Sequence, residues 1–153
     1  MPLRSVLLGA LLSVGVLGAV PAQAETSIKI SLKDRYLTLL DDGKVIGKYP
    51  VAIGAPESPT PAGTYAVTKM DPQPVYHKKG KVIAPGPNNP VGVRYVAYLQ
   101  IGTGEYAIHG TAWPNWVKLR AAVSLGCIRM LNNDVIQVYN RIKVGTPVVV
   151  TNN

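Results

Sequence analysis

Residues 109–130 read HGTAWPNWVKLRAAVSLGCIRM. Before them runs "EYAIHG", a short alternating segment that predicts a strand ending at His109. After them runs "NNDVIQVYNRIKVG", in which Val135, Val138, Tyr139 and Ile142 recur at helical spacing. Asn132 or Asn133 suits the start of that helix, Asp134 its first turn and Gly145 its stop. The stretch therefore joins a strand to the one segment that reads clearly as helix. It also holds the single cysteine of the chain, Cys127, 18 positions after His109.

Upstream, the chain reads as β. "SIKISL" at 27–32 places Ile28, Ile30 and Leu32 on one face. "RYLTLLDDGKVIGKYPVAIG" predicts a hairpin turning at Asp42-Gly43, a pair that favours tight turns. "GTYAVTKM" and "VRYVAYLQ" are further strands, rich in Val, Tyr and Thr, and "TPVVVTN" is a last one. Residues 71–92 carry five prolines and three glycines and show no clear element, which predicts a functional loop or lid. Neither a repeat nor a linker interrupts the chain. The expected fold is mainly β, a sandwich or barrel with at least one short helix near the C-terminus.

The first residues, MPLRSVLLGALLSVGVLGAVPAQA, have an apolar run after Arg4 and small residues at Ala22 and Ala24. This predicts a secretory signal peptide over 1–24, cleaved after Ala24, and one domain over 25–153. The apolar run is short for a membrane span and Gly9, Gly15 and Gly18 interrupt it, so no stable membrane anchor is expected after cleavage. Lys and Arg number 16 against 8 Asp and Glu; with Arg4 removed, the remainder carries +7. A basic exported domain favours anionic surfaces such as wall polymers and lipid head groups. Nucleic acid is a poor partner there, and the chain shows no nucleic-acid motif. Two histidines and one cysteine make a dedicated metal site or other cofactor unexpected.

Export sharpens the meaning of Cys127. Exported domains commonly pair their cysteines, and a single one points to an intermolecular bridge, a reactive thiol or a buried inert side chain. A thiol attacks carbonyls as thiolate, and a neighbouring imidazole can take its proton. Lowering its pKa by two units requires about 2.7 kcal/mol, within reach of an ion pair with protonated His109. Gly126 permits a tight turn, and backbone N–H groups at Gly126 and Cys127 are natural oxyanion donors. Such a site suits acyl transfer through a thioester, although a Cys/His pair by spacing alone is weak evidence.

The motifs "IHGT" at 108–111 and "SLGCIRMLNND" at 124–134 resemble the signature of the YkuD-type L,D-transpeptidase catalytic domain. "SPTPAGTYAV" at 58–67 and "VGTPVVV" at 144–150 are similar to further parts of that family, so the resemblance covers nearly all of 25–153. It implies a β-rich fold with the cysteine in a covered cleft. It implies action on peptidoglycan tetrapeptide stems: the bond before the terminal D-alanine is cut and the diamino acid becomes a cysteine-bound acyl group. An amine then accepts it, from a second stem in a 3→3 cross-link or from a wall-anchored lipoprotein, in the periplasm or cell wall. By the same resemblance Cys127 is the nucleophile and His109 the general base. The Gly110 carbonyl orients the imidazole, and Gly126 forms part of the oxyanion turn. Ser124, Arg129 and Trp113 are candidates for contact with substrate, with bracing, turn and packing roles as the competing readings. Trp116 shares Trp113's reading, while His77, Lys118 and Arg120 read as solvated surface. Leu125 stands where many members carry His. Two other functions compete: hydrolysis of the same acyl-enzyme, as an L,D-carboxypeptidase, and a non-catalytic wall-binding module, which intact His109 and Cys127 argue against.

Overall fold

The structure, a computed structural model, describes residues 15–19 and 25–153. The leader expected over 1–24 lies outside them, residues 15–19 excepted. The elements run β1 (Thr26–Ser31), β2 (Tyr36–Asp41), β3 (Lys44–Pro50), β4 (Ile53–Gly54), β5 (Gly63–Ala66), β6 (Lys69–Asp71), β7 (Tyr76–Lys78) and β8 (Lys81–Ile83). They continue with β9 (Tyr95–Ile101), β10 (Gly104–His109), α1 (Pro114–Lys118), β11 (Ala122–Ser124), β12 (Ile128–Arg129), α2 (Asn132–Tyr139) and β13 (Pro147–Thr151). The protein is mainly β, as expected. Among the described residues no helix is long and apolar enough to cross a membrane.

A five-stranded sheet has the order β3-β2-β1-β13-β5. Its inner face is built from the alternation visible in the sequence. Ile28 and Ile30 of β1 are buried while Lys29 between them is exposed. Pairing sets Leu39, Ile28 and Val148 in one row and Leu37, Ile30 and Val150 in the next. All six are buried, and each such side chain stabilises the fold by about 1.5–3 kcal/mol. The Asp42-Gly43 turn forms as expected, with φ of 48° and 78°, the left-handed pair that matches the twist of a two-residue hairpin.

A four-stranded sheet, β12-β10-β9-β6, supplies the opposing wall. Val96, Ile108 and Ile128 form a row across it, all fully buried, and they join Val135 and Val138 of α2 in the same core. The segment GTYAVTKM is not one strand. It changes sheets in its middle: the Val67 N–H bonds to Thr146 beside the first sheet, and the Thr68 N–H bonds to Ala97 of β9.

Residues 71–92 do contain an element. β7 and β8 form a hairpin turning at Lys79 and Gly80, both with positive φ. Residues 114–118, not read as helix, form α1, with Pro114 in its first turn. The α2 start also differs: its N-cap is Leu131, whose side chain has no acceptor to cap with, and Asn132 opens the helix with its amide bonded to Thr111. Gly145, expected to stop this helix, instead turns the chain into β13 with φ of 94°.

Candidate active site

The parallel pairing of β10 with β12 brings the two motifs together. Ile108 lies opposite Ile128 and His109 opposite Arg129. Side chains alternate along a strand, so with both isoleucines in the core, His109 and Arg129 point to the other face. Cys127, two residues before Arg129 and just outside β12, follows the same sense. On β9, Tyr95 pairs with His109 and stacks on its imidazole, ring centres 6.0 Å apart and planes within 8°. Glu105 lies on β10 with the same alternation as His109, the register shift beside it falling on β9 at Tyr98, and its backbone carbonyl receives the Cys127 thiol at 3.8 Å. The Glu105 carboxylate accepts hydrogen bonds from Tyr95 Oη at 2.8 Å and Lys69 Nζ at 3.0 Å. The last also forms a partly exposed ion pair.

His109 is 5% exposed, and its Nδ1 lies 2.6 Å from the Gly110 carbonyl oxygen. A carbonyl only accepts, so Nδ1 carries the proton and Nε2 presents its lone pair. Burial pulls the imidazole down to about 4, with the Arg129 charge adding to the effect and the Gly110 carbonyl opposing it. Burial likewise pushes the Cys127 thiol up, against a backbone contact at Ala107 and the Arg129 charge, which favour the thiolate. Burial thus favours the neutral thiol and the neutral imidazole at rest. An ion pair with protonated His109, which the sequence reading placed within energetic reach, works against the burial of both groups. A neutral imidazole with a free Nε2 lone pair can act as a base.

Gly110 is held between neighbours. Asn132 reaches across to it, accepting the Thr111 N–H at 3.0 Å and donating to the Thr111 carbonyl at 2.9 Å. A side chain on residue 110 would strike the Asn132 amide. Asn132 therefore locks the backbone that orients His109. Sequence reading gave this residue only a capping role, since the contact spans 21 positions.

The turn before the nucleophile is braced on three sides. Ser124 Oγ donates to the Cys127 carbonyl at 2.6 Å and accepts the Gly126 N–H at 3.0 Å. Ser124 is 1% exposed, so its hydroxyl serves the turn and offers no surface to a substrate. Gly126 has φ of 119°, and a Cβ there would lie 2.5 Å from the Tyr106 ring. Thr60 Oγ1, from the SPTP segment, donates to the Gly126 carbonyl at 2.8 Å and accepts the Gly54 N–H at 3.0 Å. Arg129 is half-buried with its guanidinium 5.8 Å from the Trp113 ring centre. Trp113 and Trp116 are each about half exposed, and Leu125 is 89% exposed. His77 lies exposed on β7. Among the described residues no three His, Cys, Asp or Glu side chains group as a metal site would require.

This geometry coincides with a match to the L,D-transpeptidase catalytic domain model, YkuD, over residues 25–150. A Bacillus subtilis protein named "Putative L,D-transpeptidase YqjB" is 35% identical over 139 residues, covering 90% of this chain and 77% of that one. An L,D-transpeptidase crystal structure from Mycobacterium tuberculosis superposes with a TM-score of 0.67 at 24% identity, covering 84% of this chain and 58% of that chain. L,D-transpeptidase 3 of the same organism, solved in complex with a faropenem-derived adduct, gives 0.67 at 21% identity, covering 84% and 60%. The chain thus spans about three fifths of the length of these two solved proteins, and they share its fold. With the family model covering the whole β architecture and its Cys/His face, the chain belongs to the L,D-transpeptidase catalytic-domain family of the YkuD type.

Proposed function

We propose that this protein is an exported cysteine acyltransferase acting on peptidoglycan tetrapeptide stems. The observation that supports the reading is the pairing of His109 with Arg129, two residues after Cys127, with the imidazole turned by the Gly110 carbonyl so that Nε2 is the basic atom. The Cys127 sulfur attacks the carbonyl before the terminal D-alanine as His109 Nε2 takes the thiol proton. The oxyanion forms beside the Cys127 N–H. The imidazolium then returns its proton to the departing D-alanine amine, leaving a thioester. An acceptor amine, from a second stem or a wall-anchored protein, loses its proton to His109 as it attacks the thioester. A new amide forms, and the sulfur leaves to be reprotonated. Arg129 and Trp113, with the guanidinium 5.8 Å from the ring centre, are the side chains we assign to contact with the donor. Ser124 and Gly126 shape the turn.

Intact-protein mass spectrometry with a disaccharide-tetrapeptide donor tests this. A covalent adduct equal to the donor minus D-alanine is expected on residues 25–153, absent in Cys127→Ala. A donor that is consumed without an adduct-dependent step, or an adduct that persists in Cys127→Ala, overturns the assignment. Product analysis in the same reaction separates an amine acceptor from water.

A further inference from the structure

The segment SPTPAG reaches the Gly126–Cys127 peptide through the Thr60 hydroxyl. Thr60, 4% exposed, donates its hydroxyl to the Gly126 carbonyl and receives the Gly54 N–H. A peptide unit is planar and trans, so its C=O and N–H point in opposite directions. The carbonyl that Thr60 holds belongs to the peptide joining Gly126 to Cys127. Its other end is the Cys127 N–H, which donates to no protein acceptor among the described residues.

The peptides on either side are fixed by Ser124, which takes the Gly126 N–H and bonds the Cys127 carbonyl. The central one has no such local tie. It follows a glycine at φ of 119°, a residue with no side chain to resist rotation. We propose that Thr60 is a positioning residue that aims the Cys127 N–H at the oxyanion of the acyl-transfer step, an inference that rests on the acyl-transfer chemistry above. The sequence around it fits that duty. Thr60 lies between Pro59 and Pro61, which restrict the backbone on both sides and hold the hydroxyl in place. Ser58, one proline away, donates to the Ser124 carbonyl at 2.9 Å, so the same short segment grips the turn twice.

The test separates oxyanion stabilisation from general integrity of the site. Alkylation of Cys127 by iodoacetamide is displacement at a saturated carbon and generates no oxyanion. Acylation by faropenem, through its strained ring carbonyl, does generate one. Thr60→Val removes the hydroxyl and keeps the shape; Thr60→Ser keeps the hydroxyl. Thr60→Val is expected to slow faropenem acylation by roughly ten- to a hundred-fold, below the full loss of one oxyanion donor. Its iodoacetamide rate and the pH dependence of that rate stay within about two-fold of wild type, by the absence of an oxyanion in that step. Thr60→Ser is expected to acylate within about three-fold of wild type, as its donor is retained.

Equal acylation by Thr60→Val and wild type overturns the proposal. So does a parallel loss of alkylation and acylation, and so does failure of Thr60→Ser to restore acylation. If wild-type protein is acylated by faropenem and shows this pattern yet never reacts with stem peptide, the proposed substrate falls and the role of Thr60 stands. If wild type is acylated by neither, both fall.

Discussion

Lowering the pH should destabilise this protein through His109 in a measurable and attributable way. Its imidazole is buried and its pKa drawn down to about 4 from an unfolded value of 6.5. Between those values the unfolded chain binds a proton that the folded chain does not. The stabilisation is therefore complete above pH 6.5 and is lost as pH falls toward 4. Linkage gives a loss of about 2 kcal/mol at pH 5 and about 3 kcal/mol at pH 4. Urea unfolding of wild type and His109→Gln, with the thiol kept reduced, should be measured from pH 7 to pH 4. Glutamine does not titrate, and the carboxylates are common to both proteins. The wild-type curve should fall more steeply by the amounts given. Parallel curves would mean that His109 protonates at its ordinary pH in the folded state, which would refute both its desolvation and the neutral resting pair. The same shift places the imidazole's acid limb of the acylation rate near pH 4 instead of pH 6.5.

Gly126→Ala should lower stability by about 1–3 kcal/mol in thermal or urea unfolding, from a left-handed backbone and a clash with Tyr106. His109→Ala should slow acylation by roughly 10²–10⁴-fold, the loss of a general base, read in single-turnover mass spectrometry. Binding to isolated wall sacculi should weaken as salt rises, given the +7 charge of residues 25–153, and replacing Lys78, Lys79 and Lys81 together by Gln should flatten that dependence in a pull-down. Hydrogen exchange should show the β7–β8 hairpin gaining protection when stem peptide is bound; protection confined to α2 would remove it as a lid.

The long strands and the Asp42-Gly43 hairpin were legible in the sequence because alternation and a left-handed turn are local properties. The β7–β8 hairpin was not: its strands have three residues each, and its turn carries Lys79 where Asn or Asp would announce it. At five residues, α1 is too short for a period to show. GTYAVTKM reads as one strand because nothing in Val67 or Thr68 signals a change of partner. His109 and Cys127 stand out in the sequence through their motifs, and the pairing of β10 with β12 sets those motifs side by side. Their electrostatics were not legible, since desolvation depends on what the rest of the chain packs around them. Thr60 and Asn132 bond to atoms 66 and 21 positions away, beyond any local pattern.

The strand order of the larger sheet bears on when this protein can fold. β13 lies between β1 and β5, and its partner β1 is about 120 residues earlier in the chain. Until residues 147–151 are available, β1 and β5 both present open edges and the core rows lack Val148 and Val150. A nascent chain therefore lacks the strand that joins β5 to the β3-β2-β1 part of its sheet until β13 has been made. Pairing at such separation is slow, because loop closure must precede any gain from contact. For the export proposed above, that delay would keep the chain threadable through a translocation channel.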